Sequence, residues 1–146
     1  MIRNKSTFYF LSFTWGIIMT FIGCVVASVL RALGYKPQKW GYCYYFEVGE
    51  NWGGLELGPI FLVCKNAGDH VKNHELGHGH QNCILGPLMP FVVSIPSAVR
   101  YWHREWLVRS GQKKHSELPD YDAVWYEGSA TKIGTEFMNW YNEKNN

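Results

Sequence analysis

Charge is scarce in this sequence, and nothing gathers it into runs. Of 146 residues, 18% are charged, the formal net charge is +2, and no long basic stretch occurs. A nucleic-acid partner is therefore not indicated. Internal repeats are absent as well, which sets repeat architectures aside. Nor is the chain short of apolar residues: 47% are hydrophobic and 16% aromatic, too many for a disordered chain and enough for a core. The length suits one domain of ordinary size. Nine Tyr, seven Trp and eight Phe are many for this length. Such amphipathic rings favour interfaces, the headgroup zone of a membrane among them.

One stretch lacks charge altogether. Phe8–Leu30 reads FYFLSFTWGIIMTFIGCVVASVL, 23 residues. At about 1.5 Å per residue a helix of that length crosses a hydrocarbon core of about 30 Å. The competing readings are a signal peptide and a buried core helix. A signal h-region is usually about 7–15 residues long with a small-residue cleavage site after it, and this run is longer and has no good A-x-A site. The sequence thus predicts an uncleaved single-pass membrane anchor over residues 1–34. Arg3, Lys5 and the amino terminus precede the run, and Arg31, Lys36 and Lys39 follow it. That near-balance leaves the orientation, and the side on which the rest of the chain lies, undecided.

Beyond Gly41 the period changes. Tyr42, Tyr44, Phe46 and Val48 alternate with Cys43, Tyr45 and Glu47, and past Gly53-Gly54 the residues Leu55, Leu57, Phe61 and Val63 alternate again. Two period-two runs flanking Gly-Gly read as a β-hairpin. A two-residue turn there would set Phe46 opposite Phe61 and Cys43 opposite Cys64. Directly opposed residues have Cβ atoms about 4.5–5.5 Å apart, close to disulfide reach; buried, reduced cysteines are the other reading. After the loop Asn66-Ala67-Gly68-Asp69, a helix is predicted from about His70 to Leu85, ending near Gly86-Pro87. Pro87–Trp102 is apolar but broken by Pro87, Pro90 and Pro96, and reads as a core or interfacial segment leading into a helix that carries Arg100, Arg104 and Arg109. A hydrophilic loop, Ser110–Pro119, precedes a last helix over roughly Tyr121–Tyr141.

The first of these helices holds Asn73-His74-Glu75-Leu76-Gly77-His78, an H-E-x-x-H sequence. Positions i and i+4 of a helix lie one above the other, so His74 and His78 can hold one metal between them. Glu75, one step round, reaches the open coordination position, where it can act as general base. Gly77 and Gly79 each cost about 1 kcal/mol relative to Ala, which suggests close approach of another backbone or of a substrate. His70 and His80 fit the pair spacing less well and read as polar or supporting histidines.

A catalytic zinc takes three protein ligands and leaves one position open. The metzincin extension would need Gly and His where this chain has Gln81 and Ile84, and the aspzincin pattern wants an Asp that Gly134-Thr135-Glu136 lacks, with Asp122 a spare candidate. Trp125-Tyr126-Glu127-Gly128-Ser129-Ala130-Thr131-Lys132-Ile133-Gly134 looks like the helix from which a third type draws a Glu ligand. Here the chain resembles the gluzincins, the thermolysin-like clan, and especially their minimal members, the minigluzincins. The stretches NWGGLELGP and ILGPLMP and the W-x-E-x-x-A-x-x-x-G helix also look like a set of small bacterial membrane-associated proteins. The resemblance covers roughly residues 42–140. Where the clan usually has Asp four residues after the Glu, this chain has Thr131.

Behind the N-terminal transmembrane helix read above, the resemblance implies a zincin-like domain over residues 35–146 made of a β-hairpin or meander, the H-E-x-x-H helix and a C-terminal Glu helix, an α+β fold. It implies Zn²⁺ held by His74, His78 and Glu127, with Glu75 activating a water for hydrolysis of a peptide or protein substrate. It calls for a donor to the developing oxyanion, for which His115, Tyr121 and Tyr126 are the candidates. It also implies that extended peptide adds to an edge strand, here Leu55–Val63. A different class stands beside it: a non-catalytic membrane-tethered interaction protein with a structural or degenerate metal site, docking through the apolar Leu85–Pro96 stretch.

Overall fold

In the computed structural model, which describes residues 1–145, the uncharged N-terminal run is not one helix but two. Helix α1 (Lys5–Phe13) and helix α2 (Ile17–Ala32) meet at 91°. Among the described residues no single helix is long and apolar enough to cross a membrane; the 16 residues of α2 span only about 24 Å. Where one continuous helix was expected, the run forms two, and the bend between them has a physical cause. Thr14, at the end of α1, turns its hydroxyl back to the Phe10 carbonyl at 2.6 Å. The carbonyl of Gly16 accepts from Asn82 at 3.2 Å, and the Trp15 indole donates to the Ile84 carbonyl at 3.2 Å. Ser12 and Thr20, both fully buried, are bonded to each other's segment through Thr20 Oγ1 and the Ser12 carbonyl at 2.7 Å. Buried polar groups must find partners, and here they find them only when the chain folds round the end of a later helix. That helix is α3 (Asp69–Leu85). Phe8 of α1 is fully buried in the same core as Tyr42, Phe61, Leu76 and Phe137.

The fold class is α+β. Four short strands, β1 (Gln38–Trp40), β2 (Cys43–Glu47), β3 (Gly54–Leu57) and β4 (Ile60–Val63), make a mixed sheet of order β1-β2-β4-β3. Strands β1 and β2 are antiparallel, β2 and β4 parallel, and β3 and β4 antiparallel. The expected hairpin about Gly53-Gly54 is therefore not formed. The turn lies instead at Gly58-Pro59, where Gly58 has the positive φ of 75° that a two-residue turn needs. Gly54 serves another end: a Cβ there would overlap the Glu75 carboxyl. With β2 and β4 parallel, Cys43 and Cys64 are not opposed across a hairpin, and all four cysteines are free. The expected bridge falls with the expected register.

After α3, a 3₁₀ turn (Gly86–Leu88) and a π-helical turn (Pro90–Ser94) lead into α4 (Ile95–Arg109). Proline supplies no N–H at positions 90 and 96, and the chain swings through 114°. The last helix, α5 (Trp125–Asn145), packs along α3. Glycine sets that approach, as the sequence suggested for Gly77: a Cβ at Gly77 would overlap the Ala130 carbonyl, and one at Gly134 the Asn73 carbonyl. Gly79 faces the Gly58 carbonyl, to which an added Cβ would come within 3.0 Å. Gly77→Ala is expected to force the two helices apart and lower stability by about 3 kcal/mol, read as a fall in the urea midpoint. An unchanged midpoint would show that α5 yields without loss.

Candidate metal centre

Helix α3 carries a run of polar residues that are buried rather than solvated: Glu75, His78, His80, Gln81 and Asn82. Polar groups are not buried without partners, so the question is what each one meets. His74 and His78, stacked at i and i+4, bring their Nε2 atoms to 3.0 Å from one another. Across the glycine-lined contact, the first turn of α5 delivers Glu127, fully buried, whose Oε2 lies 3.0 Å from His74 Nε2 and 3.2 Å from His78 Nε2. Glu127 Oε1 is buried with no hydrogen-bond partner among the described residues.

These three donor atoms form a triangle with sides of 3.0–3.2 Å. Tetrahedral coordination with bonds of about 2.0–2.1 Å sets ligand atoms about 3.3 Å apart. The cluster can thus hold a metal ion with little movement, and His74, His78 and Glu127 are one group by that measure. The far nitrogens are held too. Thr131 Oγ1 lies 2.7 Å from His74 Nδ1, and Gln81 Oε1 lies 2.7 Å from His78 Nδ1. Thr131 thus holds the outer nitrogen of His74, while the Asp122 carboxylate stands 3.9 Å from the same nitrogen. Gln81 is anchored in turn by donating to the Tyr126 carbonyl and the Ser129 hydroxyl, both at 2.8 Å.

Burial works against charge on Glu127, but hydrogen bonds from His74 and His78 outweigh it and hold the carboxyl far below the usual carboxylate range. Burial likewise opposes charge on His78, yet the Glu127 hydrogen bond and the nearby Glu75 carry its pKa up to about 9. Glu75 is pushed up by burial and by Glu127, against the pull of His74 and His78. A third carboxyl stands behind these. Glu56 on β3 is 4% exposed and is raised to about 8, by burial first, with His78 and the Gly58 amide opposing and Glu75 adding.

A cavity of about 360 Å³ opens on the cluster, bounded by β3, α3, the Pro90–Trp102 segment and Tyr121-Asp122. That is the size of a small ligand pocket. Its walls are mostly apolar (Trp52, Met89, Val93, Ala98), with Glu56, Glu75, Ser97 and Tyr121 as polar members. Strand β3 is the sheet edge beside it, and β4 is interior, so only Leu55–Leu57 of the expected Leu55–Val63 stretch lies on an edge strand.

Of the three oxyanion candidates, the cavity takes in one. Tyr121 lines it, with its hydroxyl 3.1 Å from Ser97 Oγ and its pKa raised to about 12 by burial, so that it keeps its proton. Tyr126 is buried in a cluster with Met19, Leu57 and Met89, and His115 lies exposed in the 3₁₀ turn His115–Glu117; neither lines the cavity. His70 stands at the rim, and His80 faces the opposite side of α3, where Ile2 N donates to its Nδ1 and burial drives its pKa down to about 3.

Sequence reasoning passed over Gln81 and Glu56. The first had a signal: three residues after His78 is one turn along the same face. The second had none, because β3 is covered on both sides, by α3 towards Glu56 and by α2 towards Leu57. Comparison with protein-family models, curated proteins and solved structures finds no match for the chain.

Proposed function

We propose that the chain is a zinc-dependent peptidase of the gluzincin type. The observation that carries this reading is the triangle of His74, His78 and Glu127 donor atoms, with Glu75 beside it in a cavity walled by an edge strand. Two imidazoles and a carboxylate are a catalytic rather than a closed structural zinc set. When bound, zinc supplies a Lewis acid for a carbonyl and lowers the pKa of a water to about 7.

The chain's own residues divide the rest of the work. Glu75, its carboxyl held raised by burial, takes the proton from the attacking water and returns it to the leaving amine. A pKa nearer neutrality than that of an ordinary carboxyl suits both transfers. Tyr121 Oη, protonated and facing the cavity, donates to the oxygen that gains charge. The free edge of β3 pairs with an extended peptide backbone, and the apolar walls accept its side chains.

The test is metal content of the purified chain together with mass-spectrometric cleavage of a peptide library. One zinc per chain, and cleavage that stops on chelation and returns with zinc, is the expected result. A chain that binds zinc and leaves every peptide intact would instead fit the non-catalytic metal site. Thr131→Val probes the orienting contact: losing the hydroxyl at His74 Nδ1 is expected to weaken zinc binding by about 10–100-fold. Competition with a chromophoric chelator measures it, and an unchanged affinity would mean that Asp122 alone orients the ring.

A further inference from the structure

Helix α4 buries none of its residues. One side of it lines the cavity through Ser97, Ala98 and Tyr101. The other carries Ile95, Val99, Trp102 and Trp106, exposed by 54–64% and spaced i, i+4, i+7, i+11, a single stripe along its length, of which Trp102 also reaches the cavity wall. Helix α2 carries a second stripe of the same spacing, Ile18, Ile22, Val25 and Val29, each at least 40% exposed. Helix α2 packs against the turns that lead into α4: Met19 lies in one cluster with Met89 and Val93, Val26 and Val92 pack against it, and Ser94 Oγ reaches Met19 Sδ at 3.8 Å. Together these eight large apolar side chains leave on the order of 700 Å² open on the two helices.

We propose that this chain docks on an anionic phospholipid bilayer through the face made by α2 and the Pro90–Arg109 segment, lying in the membrane plane instead of crossing it. Charge selects lipid as the occupant. No Asp or Glu occurs between Met1 and Phe46, or between Leu76 and Arg104, so every charge within the two segments that build the face is positive up to Glu105. Glu105 itself is paired with Arg109 at 3.5 Å. Arg31 stands in the last turn of α2, Lys36 and Lys39 follow it, Lys113 and Lys114 follow α4, and none of the five makes an ion pair among the described residues. Apolar stripes flanked by cations, with tryptophan among them, match the boundary between acyl chains and anionic headgroups. Geometry selects the plane: α2 is too short to cross, and the bend that precedes it is bonded into α3.

This docking is independent of the metal, which gives it a separate test. The full chain is to be mixed with phosphatidylcholine vesicles, with and without phosphatidylglycerol, and sedimented. Binding that needs the anionic lipid, weakens with salt and ignores chelators is expected. The Val99→Asp/Ile95→Asp chain is expected to lose about tenfold or more of its partitioning. Fluorescence of the unmodified chain provides the second readout, free of any folding defect: its tryptophan emission, to which the exposed Trp102 and Trp106 contribute, should shift to the blue and be quenched by lipids brominated near the headgroup. No sedimentation and no shift by a folded chain overturns the proposal. So does a chain that ignores vesicles and sediments as a dimer which the double variant breaks, because the face is then a contact between copies.

Discussion

On the proposed peptidase reading, the Glu75→Gln chain is expected to bind zinc as the parent does and to hydrolyse peptides about 10²–10⁴-fold more slowly. The amide has nearly the volume of the carboxylic acid, so the contact that Gly54 permits against this side chain is preserved. Neither ligand histidine depends on Glu75 for a hydrogen bond. Only the proton acceptor is removed. Loss should appear in kcat, with KM little changed, because the missing interaction belongs to the transition state. A variant that retains hydrolysis within about tenfold of the parent would rule out Glu75 as general base.

Removing Glu127 should do more damage to the fold than any other single change at the site. Glu127→Ala takes away the buried anion that His74 and His78 share, leaving only Glu75 and Glu56 to support charge on His78 against the burial that opposes it. Breaking a buried pair in this way costs about 3–5 kcal/mol, and the variant should bind no zinc with the affinity of the parent. The pH dependence identifies the cause. In metal-free protein His78 titrates near 9 against an ordinary 6.5. A raised pKa means that its contribution to stability is complete below about pH 6.5 and is lost as pH climbs towards 9. Glu127, lowered from an ordinary 4.5, contributes above that value and loses its contribution as pH falls beneath it. Glu56, raised to about 8, adds a decline between 4.5 and 8 that both proteins share. Thermal unfolding of the chelated parent should therefore become easier from pH 6.5 to 9, and that of Glu127→Ala should change less. Parallel curves for the two would remove the His78–Glu127 pair as the source.

How much of this was legible in the residues differs from one element to the next. The ligand helix was, because H-E-x-x-H encodes its own geometry: the i, i+4 spacing of His74 and His78 holds on any helix. The approach of another backbone at Gly77 was legible too, since a glycine in mid-helix needs a reason. The strand order was not. Gly53-Gly54 and Gly58-Pro59 are both turn signals, and the choice between them rests on Glu75, distant in sequence, needing room beside Gly54. The bend after Phe13 escaped for a like reason. Ser12, Thr20 and Gly16 look innocuous within an apolar run, and only the buried Asn82 and the carbonyl of Ile84 give them partners.

Gln81 carries a consequence for His78 that concerns tautomers. A carbonyl cannot donate, so the Gln81 nitrogen must be the atom facing the Tyr126 carbonyl at 2.8 Å, and the amide has one orientation only. Its oxygen then points to His78 Nδ1 at 2.7 Å and can be met there only by an N–H. The imidazole is held as the Nδ1–H form, and the proton it can exchange is the one on Nε2, which faces Glu127. His78 thus never has to rotate, flip or shuttle a proton through its ring to present a lone pair. Two contacts on a neighbouring helix, the Tyr126 carbonyl and the Ser129 hydroxyl, settle its chemistry in advance, and the one freedom left to it is whether Nε2 carries a proton or gives up that place.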